Sequence, residues 1–242
     1  MKLTIKLKKG IKIDYSDPIR RFAYIYKYVT SHANYVYQLL NKNQLKIDVL
    51  SKTNLKVTSL GGGPGSDFLG LIKYLLELDI KPKYFKCFLL DKEKSWSEAW
   101  DDVDEKLSVD FQLSTTFKNI DATDQSTWQT MTKSFQSDLY TFVYFMSEVY
   151  AIQDSVNPFF DYVLDQIDRG AYILYIDNKD SDFSGWFDSL MKKHNFEVVH
   201  SEEKIIRITD YSEEKKDLGE YFKTFGSPKL ESDVAIRICK KK

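Results

Sequence analysis

The stretch Leu55-Lys56-Val57-Thr58-Ser59-Leu60-Gly61-Gly62-Gly63-Pro64-Gly65-Ser66-Asp67-Phe68-Leu69 decides the fold. Residues 55–60 have the apolar, β-branched content of a buried strand, and from Asp67 onward Phe68, Leu69, Leu71, Ile72, Leu75 and Leu76 recur at helical spacing. The glycines between them mark a tight strand-to-helix turn. Glycine belongs there because the backbone must turn sharply, can adopt positive φ, and leaves room for a ligand against the main chain. The helix that follows points free N–H groups at such a ligand. The spacing is G-x-G-x-G. A dinucleotide fingerprint needs glycine where Ser66 stands, so a nucleotide-linked oxidoreductase is only a second alternative, and Pro64-Gly65-Ser66 is not the Gly-Lys-Ser/Thr of a phosphate loop.

This motif resembles that of the class I S-adenosylmethionine-dependent methyltransferases, in which an acidic residue, one spacer and G-x-G-x-G close the first strand. The resemblance implies an α/β, Rossmann-like fold with a mostly parallel seven-stranded sheet flanked by helices, ordered 3-2-1-4-5-7-6. It also implies S-adenosyl-L-methionine as cofactor, held around Ser59, Gly61, Gly62, Gly63 and Gly65. Ser59 occupies the family's acidic position, and Asp67 is expected to take over part of that role.

Residues 84–90 read as a second strand ending in Asp91, where the resemblance implies the acceptor for the ribose hydroxyls, a place that an ionised carboxylate can serve with two bonds at once. Residues 95–107 read as a helix and 115–120 as a third strand ending in Asp121-Ala122, where the resemblance places the adenine amino group. The apolar run 138–150 reads as a central strand with Ser147 and Glu148 at its end. A helix over 158–167, a strand over 171–176 ending in Asp177-Asn178, a helix over 183–193 and closing strands over 196–199 and 233–239 complete the pattern. The polar stretch 202–230 reads as a loop or lid.

Strands four and five end side by side, so Glu148, Asp177 and Asn178 should meet at the ligand edge as catalytic groups. Metal-dependent O-methyltransferases acting on catechols look similar here. No metal is expected in the main reading, with magnesium on these three oxygens as an alternative. The Asn/Asp-Pro-Pro-Tyr/Phe of enzymes that methylate exocyclic base amines is absent, and so is a cysteine placed for attack on a pyrimidine.

Residues 1–53 form an N-terminal lead-in to the methyltransferase domain of 54–242. Leu3, Ile5 and Leu7 alternate with polar residues before Lys9-Gly10, as in a hairpin, and Asp17-Pro18 caps a helix over 19–40. Too many tyrosines lie on that helix for one buried face, so Tyr24, Tyr28 and His32, with Tyr150, are expected at the substrate site. Up to Lys56 the chain holds twelve Lys/Arg against three Asp, a charge of +9, which leaves −10 for the remainder. A basic, aromatic lead-in would suit an anionic methyl acceptor such as RNA or a nucleotide-like molecule, while RNA, protein and small molecules all stay open as acceptors.

With 242 residues, 43% of them hydrophobic, the chain can bury one α/β core. Cys87 and Cys239 lie in apolar runs and read as core thiols of a reducing compartment. No apolar stretch has membrane-spanning length, so the expectation is a soluble cytoplasmic protein, the nucleus remaining open. The non-enzymatic alternative is a methyltransferase-like scaffold that has lost activity, for which Ser59 is the motive.

Overall fold

The computed structural model describes residues 14–131, 135–208 and 219–242; the expected hairpin over 3–13 lies outside them. Seven strands, β1 (Asn54–Leu60), β2 (Tyr84–Asp91), β3 (Gln112–Asn119), β4 (Leu139–Val143), β5 (Tyr172–Asn178), β6 (Phe196–Arg207) and β7 (Glu231–Lys241), form one sheet in the order β3-β2-β1-β4-β5-β7-β6. β1 to β5 pair in parallel, and β7 runs antiparallel between β5 and β6. This is the expected order.

Parallel neighbours require crossovers, and helices supplying them cover both faces of the sheet. Every residue of β4 is therefore buried, as is all of β5 except Asn178. On one face pack α1, a rod composed of Pro18–Tyr24, a π-helical turn Ile25–Val29 and Thr30–Asn43, and α2 (Ser66–Glu77). Tyr35, Leu39, Leu71 and Leu75 join that core, so the lead-in is continuous with the body of the protein. The other face holds α5 (Gln153–Gln166) and α6 (Ser181–Lys193), with Phe142, Phe160 and Phe187 between helix and sheet.

Asp17 caps α1 as its sequence indicates, the carboxylate accepting from Ile19 N–H at 2.9 Å with Pro18 at the first helical position. Gly70 sets the distance between α1 and α2. A Cβ there would lie 2.4 Å from the Ala33 carbonyl oxygen, so only glycine lets the two backbones approach this closely.

Several boundaries differ from the sequence reading. β4 ends at Val143; Tyr144 turns into the left-handed region at φ 58°, and α4 (Phe145–Val149) begins at once. Ser147 and Glu148 thus stand on a helix, not on a strand end. Phe, Val, Tyr and Met suit a buried strand and a buried helical turn alike, and periodicity cannot separate the two in so short a run. α5 begins at Gln153 and includes Pro158, and β6 continues to Arg207. The expected lid contains the end of β6 and a further helix, α7 (Gly219–Phe225), whose Tyr221 and Phe225 pack on Phe22 and Tyr26 of α1.

Candidate cofactor and acceptor site

A cavity of about 500 Å³ opens along the carboxyl ends of the parallel strands. Its wall takes Gly61 just after β1, Asp91 from β2, Asp121 beyond β3, Phe145 and Glu148 from α4, and Asn178 from β5. Open α/β sheets bind ligands at this edge, where the strand order reverses.

The glycine loop is shaped from both sides. Gly61, Gly63 and Gly65 all have positive φ, at 64°, 48° and 81°. A Cβ on Gly61 would lie 2.2 Å from the Phe145 ring, and one on Gly65 would lie 2.4 Å from Trp100 of α3 (Trp96–Asp104). Gly61 alone of the three borders the cavity; Gly62, Gly63 and Gly65 form the turn behind it.

Ser59 and Asp67 lie beneath that turn and do not reach the cavity wall. Asp67 is buried and accepts hydrogen bonds from Ser59 Oγ (2.6 Å), Thr141 Oγ1 (2.5 Å) and Ser66 Oγ (3.3 Å). Asp67 thus brings a carboxylate from the first turn of α2 to the end of β1. It ties β1 to β4 under the loop. Burial pushes its pKa up, against the hydroxyl groups that pull it down.

Asp91 joins the loop to the cavity. Its Oδ2 accepts from Gly63 N–H at 2.9 Å and its Oδ1 from Glu93 N–H at 2.8 Å, and a carboxylate with about four lone-pair positions can still accept from a ligand. Burial, aided by the Glu93 charge, pushes it up to about 6 despite those two N–H donors. Asp121 begins a turn in which it accepts from Thr123 N–H at 3.0 Å, and Lys92 is ion-paired to it. Burial raises its pKa, but the Lys92 ammonium and Thr123 donors outweigh this and hold it below the usual range. Ala122 follows it on the cavity wall.

At the other end of the cavity stand Tyr15, Tyr24, Tyr28 and His32, with Tyr144, Ser147 and Lys229. Tyr24 packs on both Tyr15 (5.3 Å between ring centres) and Tyr28 (5.1 Å), and His32 stacks on Tyr144 at 4.1 Å. Lys229 places its ammonium 5.1 Å from the Tyr144 ring centre and 5.7 Å from that of Tyr28. Burial, and then the Lys229 charge, push His32 well below its ordinary pKa, so it is neutral at pH 7. Its Nε2 is buried with no hydrogen-bond partner among the described residues.

Glu148 is exposed on the cavity wall, surrounded by protein on its other sides. Burial, with the like charges of Asp91 and Asp177, pushes its carboxyl up to about 8. Asp177 behaves differently from the sequence expectation. It faces the backbone and not the cavity, accepting from Ser147 N–H (2.9 Å) and Asn178 N–H (2.7 Å), and burial raises it to about 6 against those bonds. Glu148 and Asn178 border the cavity; Asp177 positions the residues beside them. Among the described residues no group of three His, Cys, Asp or Glu side chains is arranged to hold a metal ion.

Tyr150 corrects another expectation. It turns away from the cavity and packs against Phe183 and Trp186. Arg21, part of the basic lead-in, donates to the Tyr15 and Ser16 carbonyls at 3.0 and 2.7 Å and so holds Tyr15 in place. Tyr15, Tyr144 and Lys229 are wall residues that sequence reasoning missed. Their only signals were an aromatic residue just before a helix cap and an apolar run ambiguous between strand and helix.

No family model and no curated protein matches the sequence. Solved structures do. The plantazolicin methyltransferase BpumL, solved in complex with SAH, superposes at a TM-score of 0.51 and 12% identity, covering 99% of this chain and 96% of its own. The precorrin-6y C5,15-methyltransferase from Geobacter metallireducens GS-15 superposes at 0.50 and 11% identity, with 84% and 88% coverage. The chain has the class I methyltransferase fold.

Proposed function

We propose that the protein is an S-adenosyl-L-methionine-dependent methyltransferase. The observation that carries this reading is Asp91: it closes β2, holds the glycine loop through Gly63 N–H, and borders the cavity with acceptor capacity left over. Gly61, Asp91, Asp121 and Ala122 would hold the cofactor, with Ser59, Gly62, Gly63, Gly65 and Asp67 shaping the loop from below. Bound there, the cofactor supplies an electrophilic methyl group on a sulfonium ion. The protein's own part is to orient the acceptor, exclude water and receive any proton the acceptor must lose. Ser147, Glu148 and Asn178, with Tyr24, Tyr28 and His32, form the acceptor end, and Asp177 positions Ser147 and Asn178.

Calorimetric titration tests this reading. SAH should bind and NAD should not, and Asp91→Ala should weaken SAH about a hundredfold through lost hydrogen bonds to a charged acceptor. Tight NAD binding, or unchanged SAH affinity in that variant, would overturn it. Tritium transfer from labelled cofactor into fractionated lysate then separates an active enzyme from a scaffold, which would bind SAH and label nothing.

A further inference from the structure

The acceptor end of the cavity combines acid and aromatic rings, and among the described residues no lysine or arginine of the lead-in borders it. The acids Asp14, Asp91, Glu93, Asp121 and Glu148 border the cavity, against Lys92 and Lys229 as its only ammonium groups among the described residues. Lys92 is already paired to Asp121, and Lys229 sits between two aromatic rings. Glu148 has no hydrogen bond or ion pair among the described residues, although its charge is felt at both Tyr15 and Tyr24. The phenol hydroxyls of Tyr15, Tyr24 and Tyr28 likewise make no hydrogen bond within the described protein, so these rings act here as aromatic surface with free polar tips. A carboxylate that shares a cavity wall with tyrosine rings attracts a cation, through its own charge and through the negative ring faces.

We infer that the methyl acceptor is an amine, taken up as its ammonium ion beside Glu148 within the wall formed by Tyr15, Tyr24 and Tyr28. The inference rests on the methyltransferase reading above. In the reaction the ammonium N–H proton passes to the Glu148 carboxylate, which frees the nitrogen lone pair. That pair forms the new N–C bond to the methyl carbon as the C–S bond breaks, and its electrons remain on sulfur as a neutral thioether. The product is the N-methylated ammonium ion, and Glu148 returns its proton to solvent. With its carboxyl raised to about 8, Glu148 can take such a proton more readily than an ordinary glutamate. His32 is neutral, and Lys229 holds its ammonium against the Tyr144 and Tyr28 rings, which leaves Tyr15 and Tyr24 as the rings without a cation.

Three probes of one shape test the inference: choline, its uncharged carbon isostere, and tert-butylacetate as the corresponding anion. Calorimetry on the SAH-loaded and the free protein should show choline binding about tenfold more tightly than the neutral isostere, the scale of a partly desolvated cation–aromatic contact, and tert-butylacetate weakest. Above about pH 8, where Glu148 is ionised, Glu148→Gln should lower choline affinity about tenfold without changing that of the isostere, and Tyr24→Leu should lower choline affinity where Tyr24→Phe does not. Choline does not titrate, so its affinity should rise with pH through about 8 as Glu148 ionises, and stay flat in Glu148→Gln. Asp91 and Asp177 ionise lower, near 6, whereas the raised phenols of Tyr15 and Tyr24 do not ionise in this range; the Lys229 ammonium also faces the site. Tighter binding of tert-butylacetate, or Glu148→Gln binding choline like the wild type, would overturn the inference. Failure to bind SAH would overturn the cofactor reading instead, and the choline series on the free protein would still decide the cation site.

Discussion

Exchanging the residues at positions 59 and 67 tests whether the Asp67 carboxylate on α2 holds β1 to β4 as a carboxylate at the end of β1 would. Ser59→Asp alone would place a second buried carboxylate where Ser59 Oγ now sits, 2.6 Å from Asp67. Two such groups cannot both ionise, and keeping one protonated at pH 7 costs ~1.4 kcal/mol per pKa unit over about three units, or about 4 kcal/mol. Asp67→Ser alone removes the acceptor shared by the Ser59 and Thr141 hydroxyls, both fully buried, at about 1.5 kcal/mol each, or about 3 kcal/mol. The double exchange restores one carboxylate and one hydroxyl. Position 59 faces Thr141 across the parallel β1–β4 pair, so the new carboxylate can reach that hydroxyl. The remaining cost is packing in a tight loop, where a Cβ on Gly62 would lie only 2.6 Å from Ser59 Oγ, and amounts to about 2 kcal/mol. The singles therefore sum to about 7 kcal/mol against about 2 for the pair, a coupling of about 5 kcal/mol. Urea unfolding of the four proteins at pH 7, with slopes compared, measures it. Additive costs would refute the exchange of roles.

Four further outcomes follow from the same geometry. Gly70→Ala should destabilise the protein by about 2 kcal/mol in urea although alanine favours helices by about 1 kcal/mol, because the new methyl meets the Ala33 carbonyl at 2.4 Å; a more stable variant would show that α1 can shift freely. Asp91 and Asp177 are raised to about 6 and Glu148 to about 8, so these groups hold more protons in the native state than in the unfolded chain between pH 4 and those values, and their contribution to stability falls as pH rises through that window. Asp177, fully buried, contributes about 3 kcal/mol to that fall below pH 6; Asp177→Asn should flatten the lower part of the slope and Glu148→Gln the part toward pH 8, and a rise in stability over the same range would reverse the sign of the reasoning. Lys229→Met should raise the His32 pKa in an NMR titration while burial still holds it below its ordinary value, and no movement would mean that Lys229 does not face the ring. Because Asp177 directs its oxygens at backbone N–H groups, chelators should leave methyl transfer unchanged, whereas activity lost to a chelator and restored by magnesium would require that carboxylate to turn.

The fold was legible because its signals are local. The turn after β1 demands glycine at positive φ, buried parallel strands demand apolar runs, and Asp17-Pro18 announces a helix from two adjacent residues. Asp91 was legible for the same reason, closing an apolar strand at the edge where the cavity opens, while Asp121 stands two residues beyond the more polar β3 at that edge. Ser147 and Glu148 were found at the right edge on the wrong element. Nothing in Phe-Val-Tyr-Phe-Met says that the chain turns left-handed at Tyr144, since Tyr144 N–H bonding to the Ile176 carbonyl at 2.8 Å is a relation between two strands and not a property of either.

Lys229, on the cavity wall, could not be read from sequence for a different reason. It lies in a polar stretch with no periodicity, and its place is fixed by partners some two hundred residues away. Lys229 N–H donates to the Lys27 carbonyl at 2.9 Å, within the π-helical turn of α1, and the Tyr26 hydroxyl donates to the Gly226 carbonyl at 2.8 Å. A π turn shifts the carbonyls of one helical turn out of the usual ladder and is frequent at functional sites, but side-chain spacing does not reveal it. The same contacts explain why the tyrosines of α1 exceed one buried face. Phe22 and Tyr26 receive α7 on one side, while Tyr24 and Tyr28 line the cavity on the other. The segment that brings Lys229 to the cavity is thus held by aromatic residues from the opposite side of the helix that forms the cavity wall. An acceptor that displaced Tyr28 would therefore disturb Lys229 directly, because the Tyr28 ring holds the Lys229 ammonium and Lys27, one residue before it, holds the Lys229 backbone.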